Sequence, residues 1–174
     1  MAEQQQRRGR RDRVTVSRDK DDRFGQKLLE IRRVTRVVAG GKRMSFRAVM
    51  IIGDRAGSVG IGVAKGKDVQ QATAKSLFQA KKSLFQVPLV NETIPHEVSA
   101  KHSSAKIILK PARQGHGLIA GGAARVVLSF AGVKNVTAKL LGRTPNKLTN
   151  AVATMKALRQ LRLLKQKDLS AKTS

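Results

Sequence analysis

IRRVTRVVAGGKRMSFRAVMIIGDRAGSVGIGVAKGK, residues 31–67, reads as three antiparallel strands joined by two tight turns. Between Arg43 and Gly53, the residues Met44, Phe46, Ala48, Met50 and Ile52 alternate with Arg43, Ser45 and Arg47. That period of two predicts a strand with one buried face. Val59, Ile61 and Val63 repeat the pattern in the next strand. Ala39-Gly40-Gly41 and Gly53-Asp54-Arg55-Ala56-Gly57 are the turns, where glycine supplies positive φ without steric cost. Arg32, Arg33, Arg36, Lys42, Arg43, Arg47 and Arg55 stand here against one acid, Asp54. A small sheet with a cationic surface and glycine-lined turns is a platform for a polyanion.

Working outward, Phe24 to Val38 leads into the first strand, and its alternation breaks at Arg32-Arg33 and Val37-Val38. Such a strand either twists strongly or lies at a sheet edge. Gly60 and Gly62 fall on one side of the third strand, which predicts close approach by another backbone, with a β-bulge as the alternative. Gly66-Lys67-Asp68 opens a helix to about Gln86, with Asp68 as N-cap. Val69, Ala72, Leu77, Ala80 and Leu84 form its stripe against the sheet. Val87-Pro88 ends it, and the domain boundary is expected at Asn91 to Pro95. Beyond it, His96–Ala100, Lys106–Lys110 and Val133–Leu140 read as strands and Pro111–Gly117 as a loop. A helix from Gly121-Gly122 to Phe130 or Ala131 is stopped by Gly132, and a last helix runs from Leu148 to about Leu164. The chain thus reads as α+β in two small domains, 24–90 and 91–164. Tails at 1–23 and 165–174 are expected to be disordered and frayed when free.

The 174 residues include 36 Lys and Arg against 11 Asp and Glu, a formal net charge of +25. That excess points to a polyanionic partner, nucleic acid first. With no Trp or Tyr, stacking on single-stranded bases is poorly provided for. No cysteine means no disulfide framework and no thiolate metal site. No apolar run is long enough to span a bilayer, so no membrane partner is expected and the default compartment is the cytoplasm.

Gly60-Ile-Gly62-Val-Ala-Lys-Gly66 and Gly115-His-Gly117-Leu-Ile-Ala-Gly121 resemble dinucleotide fingerprints with the last glycine one residue too far. Their backbone amides at helix N-termini remain good phosphate receptors. His96, His102 and His116 have no partner at metal-ligand spacing, so no metal or cofactor is expected. Between Glu97 and Asp168 there is no carboxylate across a span holding 14 Lys and Arg. Metal-dependent or phosphoryl-transfer chemistry needs carboxylates that this half lacks.

Val34-Thr-Arg-Val-Val-Ala-Gly-Gly-Lys-Arg-Met-Ser-Phe46, Gly57-Ser-Val-Gly-Ile-Gly-Val-Ala-Lys-Gly-Lys67 and Gly115-His-Gly-Leu-Ile-Ala-Gly-Gly-Ala-Ala-Arg125, followed by Ala131-Gly-Val-Lys-Asn135, resemble the family of bacterial small-subunit ribosomal protein number five. The resemblance covers Phe24 to Leu161 in order. It implies a first domain similar to the double-stranded-RNA-binding fold, a three-stranded sheet with one helix. It implies a second domain that is a βαβ-containing α/β sandwich with a left-handed crossover, against the usual hand. It further implies a structural constituent of the small subunit, not an enzyme and not a homo-oligomer. Family members bind 16S rRNA near the decoding region, meet mRNA at its entrance path, contact small-subunit proteins four and eight, and influence accuracy and assembly.

The candidate rRNA-binding residues are Arg32, Arg33, Arg36, Gly40, Gly41, Lys42, Arg43, Arg47, Arg55, Gly60, Gly62, Lys65, Lys67, His116, Gly121, Gly122 and Arg125. Ala39, Gly40 and Gly41 match the family loop near the spectinomycin pocket. Many relatives carry Lys where this chain has Ala39, a Ser after Gly142, and Arg in place of Val152. Two other readings compete. A free double-stranded-RNA adaptor fits the charge and the first domain equally well. A small-molecule kinase of the galactokinase type is echoed by Ala120-Gly-Gly-Ala-Ala, but this is fold-level analogy, and the carboxylate-free span counts against it.

Overall fold

The computed structural model describes residues 24–162. The expectations for 1–23 and for 165–174 lie outside the described residues; the last helix ends at Arg159 with Gln160 as its C-cap, short of the expected Leu164. The chain runs β1 (Gly25–Val38), β2 (Gly41–Gly53), β3 (Ser58–Gly66), α1 (Val69–Lys82), β4 (Phe85–Gln86), β5 (Val98–His102), β6 (Ala105–Pro111), β7 (Leu118–Ile119), α2 (Gly122–Ala131), β8 (Val136–Leu140) and α3 (Lys147–Arg159). Two four-stranded sheets form, ordered β1-β2-β3-β4 and β5-β6-β8-β7. The first is antiparallel throughout. In the second, β7 lies parallel to β8 and α2 connects them, a βαβ unit. Among the described residues no helix is long and apolar enough to cross a membrane.

Strand β1 is an edge strand, and its register slips between Leu28 and Glu30. This bulge precedes Arg32-Arg33 and Val37-Val38 and does not account for them. Those doublets fall where β1 is largely exposed on both faces, so neither side selects for apolar residues. In β2 the expected one-sided burial does not hold. Residues 48–53 are buried on both faces, with Val49 and Ile51 as inaccessible as Ala48 and Ile52. Helix α1 covers one face of the sheet, while α2 and α3 lie against the other and also meet the second sheet. Met44, read as core, is 54% exposed because it lies beyond both layers.

Three glycines admit α1. A Cβ on Gly60 would stand 2.5 Å from the Ala80 carbonyl oxygen, on Gly62 2.0 Å from that of Ser76, and on Gly66 2.6 Å from the Ala72 amide. Ala72, Ser76 and Ala80, one helical turn apart, are the residues α1 buries. Small residues on both sides let helix and strand backbones touch. Of the predicted stripe, Ala72 and Ala80 are buried, while Val69, Leu77 and Leu84 are only half-buried. Asp68 caps the helix as expected, accepting from the Gln70 amide at 3.3 Å. The helix ends at Lys82 and not near Gln86. There the Ser83 hydroxyl donates to the Ile61 carbonyl at 2.6 Å, drawing the chain into β4, which pairs with Ser58 and Val59.

Helix α2 starts after Gly121 and stops at Gly132, which is left-handed at φ 83°, as predicted. The short strand β7 was not foreseen, and β8 begins at Val136, later than Val133. One apolar cluster contains Ile51 and Val59 from the first sheet and Val87 before the linker. It continues through Ile94 in the linker to Ile107, Leu109, Leu128, Val136 and Leu158 beyond it. The linker is stitched down as well, since the amides of Lys134 and Asn135 both donate to the Glu92 carbonyl at 3.0 and 3.2 Å.

Candidate nucleic-acid interface

Strand β3 ends opposite Phe46, so β1 and β2 continue past it as a two-stranded ribbon to the turn at Ala39-Gly40. Directly opposed residues of antiparallel strands point to the same face. Arg47 is opposed by Arg32 on one side and Lys65 on the other, and Arg36 is opposed by Arg43. These five cations therefore share the face that carries Val49 and Ile51 farther along. Arg33, opposed to Phe46, and Lys42, opposed to Val37, point to the other face. The cluster that looks continuous in sequence is thus split across the ribbon.

One carboxylate belongs to the five-cation face. Glu30 Oε1 lies 2.8 Å from the Arg32 guanidinium and Oε2 lies 3.8 Å from that of Arg47, and its side chain is 10% exposed. Without it, Arg32 and Arg47 would face each other as like charges. The Arg36–Arg43 row, nearer the turn, has no carboxylate partner among the described residues, and both side chains are exposed.

The remaining predicted residues fall into separate groups. Gly60 and Gly62 are buried beneath α1, so their role is packing, and they are not part of a surface. Gly40 and Gly41 sit in the ribbon turn with open space around both, and only Gly41 has positive φ, at 144°. Lys67 is exposed beside the α1 cap. Arg55 lies in the turn beyond β2, twelve residues from Arg43; the strand from Arg43 to Gly53 alone spans roughly 30 Å. There its guanidinium stands 5.8 Å from the Phe130 ring centroid. His116, Gly121, Gly122 and Arg125 are exposed together around the N-terminus of α2, which has no side-chain cap and no acid in its first turn.

Beside Arg55, the Asp54 carboxylate accepts from the amides of Ala56 and Ser58 at 2.7 and 2.8 Å. Partial burial alone would raise its pKa, but hydrogen bonds from Ala56 and Ser58 outweigh that and hold it below the usual carboxylate value.

A second cationic surface escaped the sequence reading. Ala100, Ala105, Ile107, Leu109, Val136 and Ala138 turn inward, and the intervening Lys101, Lys106, Lys110 and Lys139 are exposed on the outer face of the second sheet. Lys101 directly opposes Lys106. The alternating lysines of Lys106-Ile-Ile-Leu-Lys110 were the available signal. Among the described residues no group of three or more His, Cys, Asp or Glu side chains is placed to hold a metal ion.

Fold and surface define a basic, two-part α+β protein with exposed cationic faces. The chain belongs to the ribosomal protein S5 family, whose N-terminal domain matches residues 24–88 and whose C-terminal domain matches residues 100–173. It is similar to small ribosomal subunit protein uS5 of Thermotoga maritima, 43% identical over 153 residues, covering 86% of this chain and 85% of that protein. The uS5 protein of Acaryochloris marina is 46% identical over 147 residues, 84% and 82% of the two chains. That of Persephonella marina is 47% identical over 137 residues, 79% and 71%. The family is structural and non-enzymatic, so the chain is a ribosomal protein and not an enzyme.

Proposed function

We propose that the chain holds 16S rRNA near the decoding region and the mRNA entrance path of the small subunit, contacts small-subunit proteins four and eight, and supports assembly and accuracy. The observation that carries the rRNA reading is the five-cation face of the ribbon, with its outer Arg36–Arg43 row left without a carboxylate among the described residues. Two exposed guanidinium groups opposed across a strand pair repel one another, and a phosphate between them removes the repulsion while forming bidentate hydrogen bonds. Such contacts position a protein on folded RNA and do not read sequence. His116, Arg125 and the free amides of α2 form a second receptor, and Lys101, Lys106, Lys110 and Lys139 a third. The turn Ala39-Gly40-Gly41 is the segment nearest the spectinomycin pocket in this reading.

The test is binding of 16S rRNA at several salt concentrations. Arg36→Ala with Arg43→Ala lowers the slope of log affinity against log salt by about two. Arg33→Ala with Lys42→Ala, on the opposite face, changes it less. Equal slopes for wild type and the first pair would remove the ribbon face from the interface. Co-sedimentation of the native protein with small subunits on sucrose gradients separates this reading from a free RNA adaptor.

A further inference from the structure

Among the described residues, the outer edge of β3 is closed in two steps and then left open. Strand β4 pairs with Ser58 and Val59. The next outward-facing backbone groups, those of Ile61, are taken by a side chain: Ser83 Oγ accepts from the Ile61 amide at 3.1 Å and donates to its carbonyl at 2.6 Å. Outward groups recur at every second residue of a strand, so the next belong to Val63 and Lys65. No described strand pairs with them. Alongside runs α1, and between helix and edge lies a groove of about 840 Å³ lined by Ala64, Ala74, Phe78, Lys75 and Lys82. Phe78 is 62% exposed, the second most exposed large apolar side chain among the described residues, with the Lys82 ammonium 4.5 Å from its ring centroid.

We propose that this groove receives an extended segment of a partner protein, which adds to the sheet as a strand beside β3 and alternates apolar with acidic side chains. The register dictates the alternation. Partner residues opposed to Gly62 and Ala64 point to the α1 side, where Phe78 and Ala74 form an apolar wall. Those opposed to Val63 and Lys65 point to the other side, which carries the Lys65 ammonium and, one strand over, Arg47. Lys75 and Lys82 flank the wall, so acidic ends are favoured too. A second copy of this chain is a poor occupant, because antiparallel pairing of two β3 edges would bring two sets of these lysines together. RNA is a poor occupant because the outward carbonyls of Val63 and Lys65 would face its phosphates. Strand addition satisfies donors and acceptors alike. The proposal rests on the sheet edge and not on the rRNA reading.

The probe is a synthetic peptide of about nine residues alternating valine and glutamate, long enough to span the open edge at about 3.3 Å per residue. It is titrated against the full chain and followed by amide hydrogen exchange. The amides of Val63 and Lys65 slow on binding, and a valine–glutamine peptide binds about tenfold more weakly. Phe78→Ser and Val63→Pro each weaken the glutamate peptide by about tenfold while leaving the salt slope of 16S rRNA binding unchanged. Val63→Pro removes an outward donor, whereas Phe78→Ser leaves the backbone intact and stands if the first variant does not fold. Unaltered exchange at Val63 and Lys65 under saturating peptide overturns the proposal. So do equal affinities for both variants and wild type, loss of rRNA binding by Phe78→Ser, and a Phe78-dependent dimer in sedimentation.

Discussion

The backbone amide of Arg55 donates to the carbonyl of Phe130 at 3.1 Å, joining the β2–β3 turn of the first sheet to the last turn of α2. Glycine on each side makes the contact possible. A Cβ on Gly53 would lie 2.2 Å from the Phe130 oxygen, and one on Gly132 2.2 Å from the Arg55 oxygen. Neither oxygen can withdraw, since each belongs to a backbone fixed by the other half. Gly53→Ala and Gly132→Ala are each expected to lower stability by about 3 kcal/mol or more. Urea unfolding with one reporter in each sheet measures it. The wild type shows coincident transitions, because Ile51 and Val59 share a core with Leu128 and Val136.

Asp54 gives this junction a pH dependence. Its folded carboxyl titrates below the ordinary value of 3.8. A depressed carboxyl contributes stability that is fully present above its unfolded pKa and is lost as pH falls through the lower folded value. Asp54→Asn is therefore expected to unfold with less acid sensitivity below about pH 4 than the wild type. At neutral pH, Asp54→Ala costs about 1–2 kcal/mol, because the amides of Ala56 and Ser58 lose their acceptor. Parallel urea titrations at neutral and acid pH check both, and identical acid sensitivity of wild type and Asp54→Asn would contradict the assignment.

Gly62 separates packing from binding. Gly62→Ala drives a methyl to 2.0 Å from the Ser76 carbonyl oxygen and should destabilise the fold by about 3 kcal/mol or more. Folded Gly62→Ala protein should nevertheless bind 16S rRNA with the wild-type salt slope. A lowered slope would return Gly62 to the interface.

The ribbon turn distinguishes its two glycines. Gly40 has neither positive φ nor a neighbour within 4 Å of a built Cβ, so Gly40→Ala is expected to be neutral or to stabilise by about 0.5 kcal/mol. Gly41 stands at φ 144°, and Gly41→Val should cost about 1–3 kcal/mol locally and redirect the tip. On the proposed function, Gly41→Val alters spectinomycin sensitivity and misreading in reporter assays and Gly40→Ala does not, with salt slopes unchanged for both.

Much of this was legible in the residues. Glycine and proline punctuation located both sheet turns and the start and stop of α2, because positive φ and helix termination are local constraints. The close approach at Gly60 and Gly62 was readable for the same reason. What failed was whatever depended on the second layer. Val49 and Ile51 looked no different from residues of a one-sided strand until α2 covered them. Met44 looked buried because alternation says nothing about where a covering helix ends. Cross-strand register decided which cations share a face: Arg32, Arg36 and Arg43 join Arg47 and Lys65, while Arg33 and Lys42 leave them, through pairings that no spacing within one strand reveals. The exposed lysines of β5, β6 and β8 escaped because a short apolar run advertises its core face first.

The continuous core also sets a schedule for synthesis. When residues up to Gly66 have emerged, the face of the first sheet bearing Ile51 and Val59 has no cover, since Leu128 and Val136 are still some 60 to 70 residues away in the chain. The helix that covers the opposite face, α1, follows at once. For the time needed to translate the second half, several seconds at about 5–20 residues per second, the nascent first half presents a strip of exposed isoleucine and valine beside a row of arginines. A chaperone that shields apolar strands would find its substrate in that interval, and it would be displaced when α2 arrives and Phe130 closes onto Arg55.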